Sequence, residues 1–197
     1  SGTTYFADVL MAKIAADGTL GDWTTPAALP TARSRLALIA YRNRLYAIGG
    51  WNGTNLADVH VASFLGDGTV GAWTVATALP AARSAHTAHA HGGFLYVVGG
   101  TLAGGKTAEV KVSRVGADGT LGSWTASTSL PAARTDHASV VTGDAMYVVG
   151  GAGALDDVSV APIRGNGSLG EWAKTASFVT PRSLHSLAEH NGKLYLV

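Results

Sequence analysis

Residues 79–100 read LPAARSAHTAHAHGGFLYVVGG, and the same pattern returns at 29–50 as LPTARSRLALIAYRNRLYAIGG and at 130–151 as LPAARTDHASVVTGDAMYVVGG. A fourth version, FVTPRSLHSLAEHNGKLYLV, occupies 178–197. In every copy an arginine (Arg33, Arg83, Arg134, Arg182) precedes a tyrosine (Tyr46, Tyr96, Tyr147, Tyr195) by 13 residues. Ten residues before each arginine stands a tryptophan, so Trp23, Trp73, Trp124 and Trp172 recur at intervals of 50, 51 and 48 residues. Fixed offsets inside a period that varies only slightly describe one structural unit copied four times, with insertions confined to loops.

Each unit reads as four short strands. Leu45 to Ile48 and Phe94 to Val98 are unbroken apolar runs, as expected of a strand buried on both faces. The glycine pairs Gly49-Gly50, Gly99-Gly100 and Gly150-Gly151 end that strand in a sharp change of direction. A second strand follows, over Val9 to Ile14, Val59 to Phe64, Val110 to Val115 and Val158 to Ile163. Asp17-Gly18, Asp67-Gly68, Asp118-Gly119 and Asn166-Gly167 then give hairpin turns into the tryptophan strand. Leu29-Pro30, Leu79-Pro80 and Leu130-Pro131 carry the chain to the next unit, because proline cannot continue a central ladder. The remaining strand, Thr87 to His91 or Ser139 to Thr142, alternates small and polar residues.

A four-stranded unit of about 50 residues cannot bury both faces alone. Radial stacking, each tryptophan against a neighbouring sheet, solves that problem and leaves only short edges. The fold expected is therefore all-β, a β-propeller of four blades in one domain over 1–197, with repeats near 1–50, 51–100, 101–151 and 152–197. Arg-x-x-His, the apolar strand with Tyr, the glycine pair, the Asp-Val of the next strand and the closing Trp together resemble the Kelch repeat over the whole chain. Two departures stand out. Leu36 replaces the histidine found as His86, His137 and His185, and Phe178-Val179-Thr180-Pro181 replaces the Leu-Pro spacing. Tyr195-Leu196-Val197 stops where a glycine pair comes in the other copies, and Ser1 to Ile14 matches the segment after that pair, with Asp8 aligning to Asp58. One blade is then shared between 1–28 and 182–197. It is expected to close by pairing of terminal strands, within the chain or between two chains as an eight-bladed homodimeric ring. A segment of a longer propeller is the third reading.

Composition narrows the function. Hydrophobic residues make up 47% and charged residues 14%, and the net charge of +1 offers no polycationic face for nucleic acid. No apolar run approaches the roughly 20 residues that span a bilayer. Ser1-Gly2-Thr3-Thr4 has neither the basic start nor the apolar run of a leader. Absence of cysteine excludes disulfides, thiol catalysis and the cysteine-modified tyrosine of galactose-oxidase-like propellers.

A binding module follows more readily than an enzyme, with a protein or glycan held by loops on one face and no cofactor. In Kelch domains the loops after the glycine pair and between blades form the ligand face, and arginines there can hold acidic peptides. The resemblance thus nominates Arg33, Arg83, Arg134 and Arg182, whose alternative role is to brace the linker on backbone carbonyls. Residues that break the repeat are better candidates, since the fold does not demand them: Arg35, Asp136, Trp51, Asn52, Asn55 and Lys106. Trp51 suits stacking on an apolar ligand or sugar ring. His86, His137 and His185 share one repeat position and either meet as metal ligands or bond neighbouring backbone; the second reading is preferred, with no metal. Asp-Gly-Thr is too poor in acids for a calcium loop. Asn52-Gly53-Thr54 and Asn166-Gly167-Ser168 fit the glycosylation sequon, the second being explained by its hairpin. The competing classes are a carbohydrate-active enzyme of mutarotase or lyase type on the same face, and a structural repeat that assembles into rings.

Overall fold

The computed structural model describes residues 4–153 and 155–197; the Ser1-Gly2-Thr3 start, read above for leader character, lies outside them. The first blade is the antiparallel sheet β1 (Ala37–Tyr41), β2 (Arg44–Ile48), β3 (Val59–Ser63) and β4 (Thr74–Val75), in that spatial order. In the second, β5 (Thr87–His91) and β6 (Phe94–Val98) are followed by a small hairpin, β7 (Thr101–Leu102) with β8 (Gly105–Lys106), before β9 (Val110–Arg114) and β10 (Thr125–Ser127) complete the sheet. The third contains β11 (Ala138–Thr142), β12 (Ala145–Val149), β13 (Val158–Pro162) and β14 (Ala173–Lys174). A half-blade of β15 (Leu187–His190) and β16 (Lys193–Leu196) ends the chain. The expected strand order is observed in the three complete blades, although Phe64, Val115 and Ile163 fall just outside their strands and form isolated bridges across the Asp-Gly or Asn-Gly hairpins. The strand expected over Val9 to Ile14 is not formed: that segment makes only the bridges Met11 to Thr24 and Ile14 to Leu20, with no third strand beside it to complete a ladder.

The blades stack as the apolar runs require. One core lies between the first and second sheets, around Tyr46, Ile48, Leu95, Val97 and Trp124, and another between the second and third, around Tyr96, Val98, Met146, Val148 and Leu169. Each tryptophan also ties its blade to the preceding linker. The indole N–H groups of Trp73, Trp124 and Trp172 donate to the carbonyls of Ala27, Thr77 and Thr128 at 2.9, 2.9 and 3.0 Å. The glycine pair is needed for room as well as for its positive φ. A Cβ on Gly49 would stand 2.7 Å from the carbonyl oxygen of Arg83, and one on Gly99 would stand 2.7 Å from that of Arg134. Each pair is thus the seat for the next blade's arginine.

Closure within the chain is not formed. The inner strands pack in sequence, β1 beside β5, β5 beside β11 and β11 beside β15, and β15 does not return to β1. Among the described residues the N-terminal segment makes only isolated bridges, Met11 to Thr24, Ile14 to Leu20 and Phe6 to Arg33, while β15 and β16 pair with each other alone. The consequence shows at equivalent positions: Trp23 is 64% exposed against 8% for Trp124, and Leu20 is 60% exposed against 1% for Leu169.

Candidate functional site

The repeated arginines are consumed by the fold. Arg33, Arg83 and Arg134 have side chains that are 0% exposed. Each donates from Nη1 to the carbonyl of the first glycine of its pair (Gly49, Gly99, Gly150), all at 3.0 Å. Their Nη2 atoms meet Asp58, Glu109 and Asp157 at 2.6, 2.8 and 2.9 Å. Partial burial of the three carboxyls works against their ionisation, but the guanidinium hydrogen bonds and charges outweigh it and hold them below their ordinary values. A guanidinium locked between a carbonyl and a carboxylate is not presented to a ligand, so these arginines brace the blade. The acids recur 25, 26 and 23 residues after their arginines, an offset legible in the sequence but not used above. Among the described residues Arg182, in the half-blade, reaches only the Thr180 carbonyl, at 3.4 Å.

His86 and His137 are buried too, and His185 is half-buried. His86 and His137 are pushed down to about 3, by burial first and then by the charges of Arg83 and Arg134 respectively, so both rings are neutral near pH 7. His137 Nε2 lies 3.0 Å from Thr87 Oγ1, which accepts from Ser139 Oγ at 2.5 Å, and Ser139 Oγ lies 2.6 Å from His89 Nε2. This chain joins the inner strands β5 and β11. Among the described residues no group of three histidines or acids is placed to hold a metal ion.

The loop face keeps two features open. At the axis, Arg35, Ala85, Asp136 and Leu184 occupy one repeat position with φ of 52, 52, 53 and 56°. Their backbones link blade to blade: the amides of Ala85, Asp136 and Leu184 donate to the carbonyls of Arg35, Ala85 and Asp136 at 2.9, 3.2 and 2.9 Å. Left-handed backbone at four non-glycine residues is strained, and these blade-to-blade hydrogen bonds hold it. Arg35 and Asp136 line a cavity of about 190 Å³ with Leu36, His86 and His137, and among the described residues neither charged side chain has a hydrogen-bonding partner. Sequence alone could not place these two together, since they lie two blades apart.

The second feature is a cleft of about 700 Å³ between the loops after β2 and β6, walled by Trp51, Asn55 and Leu102 over a floor of Ala81 and Ala82. Trp51 donates from its indole N–H to Tyr5 Oη at 3.0 Å, which holds the ring against the N-terminal segment. Tyr5 is a supporting residue missed by sequence reasoning, because it lies 46 residues away. Asn55 accepts from Ser84 Oγ at 2.7 Å, so it joins two blades. Asn52 stays in the Trp51 loop, its side-chain oxygen accepting from Thr54 at 3.4 Å. Lys106 ends the β7–β8 hairpin and reaches over Gly153 of the next blade's loop. His185 abuts Gly150 at the open end.

A family model described as the KLHDC2/KLHL20/DRC7 Kelch-repeats domain matches residues 2–197. The chain belongs to the Kelch-repeat family. Among solved structures it is similar to one titled "Structure of YjhT", with a TM-score of 0.77 at 18% identity, covering 95% of this chain. It spans 64% of the length of that structure, a likeness that shows the Kelch propeller fold. No curated protein matches the sequence significantly. Kelch-repeat propellers generally serve as protein-binding scaffolds.

Proposed function

We propose that this Kelch propeller is a non-enzymatic binding module that holds a protein or glycan on its loop face, with Trp51 as the anchor. The observation that carries this reading is the cleft of about 700 Å³, where an oriented aromatic ring stands beside an amide, hydroxyls and a small-residue floor. Indole faces stack equally on sugar rings and on apolar peptide side chains. Arg35 and Asp136 at the axial mouth add one charge of each sign beside it. Peptide and glycan arrays probed with the parent and with Trp51→Ala test the reading. A ligand retained by the parent and weakened roughly tenfold or more in the variant is expected, as for a central aromatic anchor. A ligand indifferent to both Trp51 and Arg35 would place recognition elsewhere.

Self-association belongs to the same proposal. Arg182 lacks the acid that the other arginines have, and Asp8 aligns with those acids in the N-terminal segment. Two half-blades with complementary strands and unmatched partners favour joining two copies into one ring of eight blades.

A further inference from the structure

The opposite face, where β1 turns into β2 and the Asp-Gly hairpins lie, treats its two inter-blade seams differently. Between the first and second blades the seam is plugged. Arg44 donates to Ser63 Oγ at 2.6 Å and to the Asp118 carbonyl at 2.7 Å, and Tyr46 Oη donates to the Gly119 carbonyl at 2.7 Å. Between the second and third blades Phe94 takes the place of Arg44. A Cβ on Gly167 would stand 2.6 Å from the Phe94 ring, much as one on Gly119 would stand 2.7 Å from Arg44. A ring donates nothing, and Tyr96 does not reach the Gly167 carbonyl as Tyr46 reaches that of Gly119. Tyr96 is 0% exposed, and among the described residues its hydroxyl has no partner.

Tyr96, its hydroxyl buried, lines a cavity of about 160 Å³ with His91, Phe94, Asp144 and Ile163. The cavity shares Gly92, Phe94 and Gly165 with a larger cleft of about 690 Å³ that Arg42 and Arg114 line. Arg42 is seated there by donating from Nη1 to the carbonyls of Val115 and Gly116 at 3.3 and 3.1 Å. Among the described residues neither arginine has a carboxylate partner, whereas the one acid in the cavity, Asp144, lies 2.9 Å from His91 Nε2. Burial pushes the Tyr96 phenol up to about 12, so it stays a donor.

We propose that this seam is a second ligand site, taking a small oxyanion, phosphate or carboxylate, with its oxygens toward the Tyr96 hydroxyl and its charge balanced by Arg42 and Arg114. Unsatisfied buried donors and unpaired guanidiniums are the two things an oxyanion supplies for. The site lies at the other end of the sheets from Trp51 and stands or falls independently of the loop-face reading.

The test is an NMR titration of the whole chain with inorganic phosphate and, separately, acetate, at constant ionic strength set by chloride. Saturable shifts at residues 91–96, 114–117 and 163–166 are expected with at least one of the two, and the tighter one names the ligand class. Tyr96→Phe, which removes only the hydroxyl, should weaken binding about tenfold while the melting temperature holds or rises. Phe94→Arg should refill the seam on the pattern of Arg44 and abolish binding. No saturable shift with either anion, or equal affinity in Tyr96→Phe and the parent, overturns the proposal.

Discussion

At the scale of single residues, one position explains much of the chemistry. Leu36, His86, His137 and His185 are equivalent, and the first blade folds with a leucine there. The imidazole is therefore not required for the inter-blade seat, and two of the three are held neutral by burial. A ring whose folded pKa is about 3 takes up a proton in the unfolded chain first, near its ordinary value of 6.5. Stability is then present in full above that value and is lost as the pH falls from about 6.5 toward 3. His86→Leu should lie within about 1 kcal/mol of the parent at neutral pH, as a swap to the apolar residue the position already tolerates. Its melting temperature should fall less steeply with acid. A parallel pH profile for parent and variant would show that His86 does not carry this dependence. Arg33, Arg83 and Arg134 behave oppositely: each is fixed by a carboxylate and a glycine carbonyl, and each repeats because the blade needs it.

At the scale of elements, the hairpins between the third and fourth strands repeat a small device. Asp67 accepts from the amide and hydroxyl of Thr69 at 2.9 and 2.6 Å, and Asp17 and Asp118 do the same with Thr19 and Thr120. The carboxylate is spent on its own turn, which gives Asp-Gly-Thr a structural reason to recur. Gly68 sits at φ 82° with nothing near its would-be Cβ, and Gly119 sits at the same φ with Arg44 against it. Gly68→Val should destabilise by about 1 kcal/mol through backbone strain alone, and Gly119→Val by more, because Arg44 must also move. Thermal melts of the two variants check both the magnitude and the order. Strand limits in the three complete blades were readable only to within a residue, since Phe64, Val115 and Ile163 bridge their own hairpins instead of the ladder, and Val9 to Ile14, without a neighbouring strand, forms no strand.

At the scale of the whole molecule, the open arc is the dominant fact. Phe6, Leu10, Ile14, Leu20 and Trp23 at one end and Leu194, Tyr195 and Val197 at the other are exposed where their equivalents are buried. Unpaired apolar edges of this kind recruit strands. Light scattering should report two chains, and deleting Ser1 to Ile14 should turn that species into aggregate, because β16 then loses the strands that match it. A deletion variant that stays monomeric and melts cooperatively would show that terminal strand pairing does not close the ring. The same deletion removes Tyr5, so ligand binding through Trp51 should weaken along with assembly.

What the sequence determined by itself was the repeat, the four-strand unit, the order of its strands and the Kelch likeness, because those rest on local patterning: period, apolar runs, glycine pairs and turn chemistry. The structural roles of Arg33, Arg83 and Arg134 were open in the sequence and were decided by tertiary contact, through acids and carbonyls 16 to 26 residues away. The placing of Arg35 and Asp136 along one cavity, the support of Trp51 by Tyr5 and the unplugged seam at Tyr96 belong to the tertiary structure alone. Each depends on which residues neighbouring blades bring face to face.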